Sequence, residues 1–149
     1  RIEAMEKLIK DAVSSGAEVV IGGTRLSRPG YFFPPTVLRN VDPCCELMTV
    51  EPFGPVVPIN GFKDENEAIN VANNSSYGLA GYIFTGDQAR QERLSAQLQV
   101  GTIGVNDIPA HTADIPLGGW KDSGVGVEGG IEMTHPYTKS QFRYIKSLA

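Results

Sequence analysis

Apolar residues recur at helical spacing at the start of the chain: Ile2, Met5, Ile9, Ala12 and Val13 share one face, while Glu3, Glu6, Lys7 and Lys10 lie elsewhere. The pattern predicts an amphipathic helix ending near Gly16, with Glu6 and Lys10 at the i,i+4 spacing of a helical ion pair. A β-branched run from Glu18 to Ile21, closed by Gly22 and Gly23, predicts a short strand. Tyr31 to Leu38 predicts a second extended segment, which Pro34 and Pro35 restrict to an edge or irregular strand.

Further on, the mostly apolar stretch from Pro55 to Phe62 predicts a strand. Asp64, with Glu67 three residues later, opens a helix that runs through Ala68, Ile69 and Ala72. Leu79 to Phe84 is the next strand. Asp87 caps another helix with Leu94 and Leu98 on one face, Gly101 is placed to end it in a left-handed turn, and Thr102 to Val105 forms a further strand. This alternation predicts an α/β fold with a mainly parallel sheet, right-handed crossovers and flanking helices. From Asp107 to Gly130 the chain is rich in Gly, Pro and turn residues without periodicity. A loop about twice the usual length is more often functional than idle, so the site region is expected there. Ile131 to Met133 is a short helical candidate, and Gln141 to Lys146 alternates as a C-terminal edge strand would.

At 149 residues the chain has the length of one ordinary domain. A net charge of -4, with Lys and Arg scattered, argues against nucleic acid or an anionic membrane as partner. No apolar run approaches the roughly 20 residues of a spanning helix, and the first residues carry no charged-then-apolar leader pattern, so a cytoplasmic protein is expected. The start without Met, directly on a helical pattern, suggests a truncated or processed product. Cys44 and Cys45 are adjacent, a poor geometry for a disulfide, and Asp42 and Glu46 beside them disfavour a thiolate. Two reduced thiols are the expectation. His111 and His135 have no Cys or acid at ligand spacing, so no metal site is expected.

Two segments stand out chemically. In Glu51-Pro52-Phe53-Gly54-Pro55 two prolines stiffen a turn ahead of a strand, which places a carboxylate and an aromatic ring two residues apart. Spacing alone favours a polar turn bearing a half-buried Phe. The second segment runs from Leu117 to Gly130, and within it Gly124 to Gly129 satisfies G-x-G-x-x-G, the string of dinucleotide-binding turns. It follows Trp120-Lys121-Asp122-Ser123 rather than a buried strand, and no acid occurs after Glu132, so it reads as a tight loop instead.

Together these segments resemble the C-terminal part of an aldehyde dehydrogenase. The resemblance extends over nearly the whole chain, through Gly30-Tyr31-Phe32, Pro35-Thr36-Val37, Ala72-Asn73-Asn74, Tyr77-Gly78-Leu79-Ala80 and Tyr137-Thr138-Lys139. It implies that Glu51 accepts hydrogen bonds from the nicotinamide ribose of NAD or NADP and that Phe53 packs near the nicotinamide, both being cofactor-binding residues. It implies that Ile108, His111, Thr112 and Leu117 bind a small-molecule aldehyde, and that Glu128 lies near the inner end of the substrate channel, with a structural or proton-relay role. Leu117 stands where the family has Phe, and Val127 where it has Arg.

The implied function is oxidation of an aldehyde or semialdehyde to a carboxylic acid, through a thiolate nucleophile whose Gly-Gln-x-Cys motif does not occur in this chain. No catalytic residue is therefore certain here, and the 149 residues alone are expected to be inactive. The stretch 1–140 is expected to belong to the catalytic domain, and 141–149 to form a strand for homo-oligomerisation, as in the family. The alternative is a non-catalytic interaction or dimerisation module derived from the same family.

Overall fold

The computed structural model describes residues 1–108 and 112–147. The chain forms two compact units, Arg1–Ser75 and Ser76–Ala149. The fold class is α/β.

In the first unit, α1 (Ile2–Ser14) packs Met5, Leu8, Ile9 and Ala12 into a core shared with Leu38, Val41, Leu47 and Val56. Those four helical positions follow an i, i+3, i+4, i+7 stripe, so Leu8 enters the core and Val13, expected inside, is 44% exposed at its margin. Glu6 does not pair with Lys10. Its carboxylate is taken by Arg25, which donates from Nε to Oε1 at 2.7 Å and from its terminal nitrogen to Oε2. A planar guanidinium offers two donors in register with a carboxylate, whereas a lysine offers one flexible contact. Gly16, at φ 102°, turns the chain out of the helix.

Strands β1 (Glu18–Ile21), β2 (Thr36–Arg39) and β3 (Val56–Ile59) form one sheet in that order, β1 antiparallel to β2 and β2 parallel to β3. Tyr31 to Leu38, expected as an edge or irregular strand because of Pro34 and Pro35, becomes a strand only from Thr36, where β2 takes the central place in the sheet and pairs with β1 through an irregular register. Both prolines precede its first ladder residue, and Thr36 supplies the first donor, its N–H reaching Pro55 O at 2.8 Å. The Thr36 hydroxyl is buried with its bonds satisfied, accepting from Gly23 N–H at 2.9 Å and donating to Pro34 O at 3.1 Å. Helix α2 (Glu46–Thr49) is a single turn that periodicity could not reveal. Helix α3 (Glu65–Asn73) starts as expected: Asp64 Oδ1 accepts from Glu67 N–H at 2.9 Å, and Glu67 Oε2 accepts in return from Lys63 N–H at 2.7 Å.

In the second unit, β5 (Ala80–Ile83) and β6 (Thr102–Val105) form a parallel pair, linked by α4 (Gln88–Ser95), whose N-cap Asp87 accepts from Arg90 N–H at 3.1 Å. Two short strands, β4 (Tyr77–Gly78) and β7 (Trp120–Lys121), pair antiparallel. The strands expected in a single parallel sheet from Pro55 to Val105 thus belong to two ladders, one in each unit. Gly101 is not a left-handed helix stop. Helix α4 ends at Ser95, and Gly101 is instead where the main chain of Gly118 passes too close for any side chain. Ile131–Tyr137 is a 3₁₀ helix. Gln141 to Lys146, expected as a strand, are exposed and form no ladder among the described residues, since a strand forms only where a partner edge is paired with it. No helix of the described residues is long and apolar enough to cross a membrane.

Candidate functional site

Glu51 and Phe53 lie on consecutive tight turns ahead of β3. Phe53 N–H donates to Glu51 O at 3.1 Å across Pro52, and Val56 N–H donates to Gly54 O at 2.9 Å across Pro55. Gly54 sits against the buried Met5 of α1 so closely that a Cβ would overlap the Met side chain, which explains the residue type at the centre of the motif. The turn is thereby pressed onto the core, and the Glu51 and Phe53 side chains stay exposed. The Glu51 side chain is exposed and bonds to no described residue. Phe53 is 62% exposed, with the Arg1 guanidinium 5.5 Å from its ring centroid. Phe53 borders a cleft of about 440 Å³, also lined by Met5, Tyr31, Phe33 and Pro55. An unengaged carboxylate two residues from an open aromatic face is a fitting arrangement for vicinal hydroxyls and a planar ring.

In the second unit the long loop is built as a set of backbone clasps. Leu117 and Glu128 form an isolated antiparallel bridge, with N–H···O distances of 2.7 and 2.8 Å in the two directions. Gly130 N–H donates to Ala113 O at 2.9 Å, and Gly129 at φ 72° packs against the carbonyls of Ile115 and Thr112. Thr112, Leu117 and Glu128 are therefore gathered by main-chain geometry. Leu117 is half-buried, and Thr112 and Glu128 are exposed. The Glu128 main chain belongs to the bridge and its carboxylate bonds to no described residue. Ile108 is 70% exposed at the near end of the loop. His111 lies outside the described residues. The Thr112 hydroxyl, with the Asp114 backbone amide, holds the Asp114 carboxyl below its ordinary range.

The G-x-G-x-x-G string forms no strand-to-helix turn. It follows β7, which is exposed, and runs into the 3₁₀ helix through left-handed Gly124, Gly126, Gly129 and Gly130. Ser123, just ahead of it, accepts from Gly78 N–H at 2.9 Å through its hydroxyl and ties this loop to β4. The sequence did not reveal the structural roles of Ser123, Gly101 and Asn106; Gly101, expected to end a helix, instead admits the close approach of Gly118. Of these only Asn106 carried a readable signal, an Asn directly between a strand and a glycine-rich loop. Cys44 is exposed and Cys45 buried, and they are not bonded to each other. Among the described residues no cluster of His, Cys, Asp and Glu could hold a metal ion.

An α/β fold with unengaged polar and aromatic groups on loops flanking parallel strands places the candidate chemistry outside the sheets, as in ligand-binding α/β enzymes. The family model for the aldehyde dehydrogenase family matches residues 1–142, and the chain belongs to that family. It is 45% identical over 128 residues to the mitochondrial succinate-semialdehyde dehydrogenase of Rattus norvegicus, covering 86% of this chain and 24% of that one. It is 42% identical over 135 residues to the succinate-semialdehyde dehydrogenase of Paenarthrobacter nicotinovorans, covering 91% and 30%. Among solved structures it resembles betaine aldehyde dehydrogenase from Staphylococcus aureus in complex with NAD+, with a TM-score of 0.85, 40% identity and coverage of 91% of this chain and 28% of that one. An NADP dependent enzyme of E. coli gives a TM-score of 0.86 at 37% identity, with the same coverage. The chain thus spans about a quarter of its relatives' length.

Proposed function

We propose that this chain supplies the C-terminal part of the catalytic domain of an NAD(P)-dependent aldehyde dehydrogenase that converts a small aldehyde or semialdehyde to its carboxylic acid. The observation that carries the reading is the pairing of an unengaged Glu51 carboxylate with the open ring of Phe53 on a turn braced by Gly54 against α1. Glu51 would accept hydrogen bonds from the two ribose hydroxyls at the nicotinamide end, and Phe53 would hold the planar ring at van der Waals distance. Bound NAD or NADP supplies the hydride acceptor. Ile108, His111, Thr112 and Leu117 shape the aldehyde-binding side, and Glu128 holds the loop by its main chain while its carboxylate is available to relay a proton. The likeness to succinate-semialdehyde dehydrogenases supports a semialdehyde substrate, and the NAD+ and NADP proteins among the structural neighbours support either cofactor. Two unbonded thiols agree with a reducing compartment such as the cytoplasm.

The nucleophile belongs to another part of the enzyme, so the 149 residues alone should not reduce NAD(P) with any aldehyde. In the enzyme that contains them, Glu51→Gln should raise the cofactor KM by roughly tenfold to a hundredfold, the worth of charge-assisted hydrogen bonds. Its aldehyde KM should stay unchanged. An unaltered cofactor KM in that variant would remove the role given to Glu51.

A second reading, a homo-oligomer formed through residues 141–147, is favoured by the exposed Phe142, Tyr144 and Ile145 on a segment without ladder partners among the described residues. A solution mass that stays monomeric across protein concentration, or that is insensitive to Phe142→Asp and Tyr144→Asp, would exclude it.

A further inference from the structure

Both units end their parallel strand pair with the same device. Asn60, the residue after β3, accepts from Val41 N–H at 2.7 Å through Oδ1 and donates through Nδ2 to Val41 O at 2.9 Å. Asn106, the residue after β6, does the same with Thr85, at 2.8 Å and 2.9 Å. In each case the carboxamide imitates a peptide group and adds one rung beyond the last ladder residue. The two sites differ in what they carry. Asn106 sits at φ 56°, the left-handed conformation that Asn tolerates better than other non-glycine residues, and its own N–H reaches Ile83 O at 2.8 Å. Its backbone thus stays in the ladder while the chain turns sharply into the loop that bears Ile108 and Thr112.

Thr85 is itself held from the opposite side. Its carbonyl also accepts from Gln91 Nε2 at 2.9 Å, and its hydroxyl accepts from Asp87 N–H at 3.3 Å, so the clamp is referred to the first turns of α4. At the far end the loop is closed by the Ala113–Gly130 and Leu117–Glu128 bonds. A loop anchored this way has its near end aimed by one carboxamide.

We propose that Asn106 is a positioning residue for the aldehyde: it fixes the exit of the substrate loop, and hence the placement of Ile108, through Thr85, without touching substrate. The proposal rests on the reading of that loop as the aldehyde-binding side. Asn60, the same clamp in the other unit, serves as the control.

The test is Asn106→Asp beside Asn60→Asp in the enzyme that contains this chain. Asn106→Asp keeps an acceptor for Thr85 N–H but sets two acceptors face to face at Thr85 O. The expected result is an aldehyde KM raised about tenfold and a changed preference between a short and a long aldehyde, with the cofactor KM unmoved. Asn60→Asp should lower thermal stability and leave aldehyde preference as it was. Equal stability loss in both variants with unaltered aldehyde KM and preference would overturn the proposal, leaving a strand-end clamp only. Amide hydrogen exchange gives a readout independent of turnover. Thr85 and Ile108 amides should exchange faster in Asn106→Asp while Val41 stays protected, and unchanged exchange would also overturn it. If exchange responds as expected but the wild-type enzyme oxidises no aldehyde, the functional reading fails and the positioning of the loop survives.

Discussion

Gly101→Ala tests the packing of the second unit most directly. A Cβ at position 101 would fall on the carbonyl oxygen of Gly118 and 2.8 Å from its carbonyl carbon, inside the 3.0 Å that real Cβ contacts respect. Both partners are main chain, so no rotamer change relieves the clash. Either the start of β6 or the segment around Gly118 must move, and Gly101 N–H, which donates to Gly78 O at 3.0 Å, is at the same place. Overpacking costs about 1–3 kcal/mol, and the strained or lost backbone hydrogen bond adds about 1 kcal/mol, for a total near 3 kcal/mol. Gly86→Ala is the matched control. A Cβ there meets nothing within 4 Å and the backbone is not left-handed, so the same chemical change should stabilise by about 0.4–1 kcal/mol through the unfolded chain. Trp120 is the sole tryptophan and belongs to β7, so urea unfolding followed by its fluorescence reads this unit. Stabilities of the two variants that agree within 1 kcal/mol would refute the close approach of Gly101 to Gly118. In the enzyme, Gly101→Ala should also disturb the aldehyde KM, because Leu117 precedes the glycine it displaces.

Other outcomes follow from single contacts. Met5, 1% exposed, should cost about 2–5 kcal/mol when truncated to Ala, and Gly54→Ala should cost less in that background than in wild type, since the side chain it collides with is gone; additive effects in a double-mutant cycle would contradict the contact. Arg39, then Asn40, bond to Glu18 and hold its carboxyl below its ordinary 4.5. A depressed folded value contributes stability that is present above pH 4.5 and lost as pH falls through the folded value. Thermal melts of Glu18→Gln should therefore lie below wild type at neutral pH and converge with it in acid; a gap that persists at low pH would show another cause. Asp64→Ala should remove about 1 kcal/mol by uncapping α3, read as loss of helicity by circular dichroism. Maleimide should label Cys44 in the native chain and Cys45 only after denaturant, and equal labelling rates would contradict the burial of Cys45.

Much of the local structure was legible because its causes are local. The 3.6-residue stripe from Met5 to Ala12 makes α1 wherever it folds, and Asp64 and Asp87 each start a helix because a side-chain acceptor three residues ahead of an N–H needs no distant partner. The Glu51–Pro55 and Leu117–Gly130 strings were also sufficient, as strings, to place the chain among aldehyde dehydrogenases. What sequence could not supply was pairing at a distance. That Glu6 takes Arg25 over Lys10, that Pro34 and Pro35 stand before a central strand, and that Gly101 yields to the backbone of Gly118 are decided by which segments the fold brings together. The clamp of Asn106 on Thr85 belongs to the same class, since an amide side chain matches many backbone partners and only the parallel register of β5 and β6 selects one. Likewise the alternation of residues 141–146 offers an extended edge, but a ladder exists only where a second edge meets it.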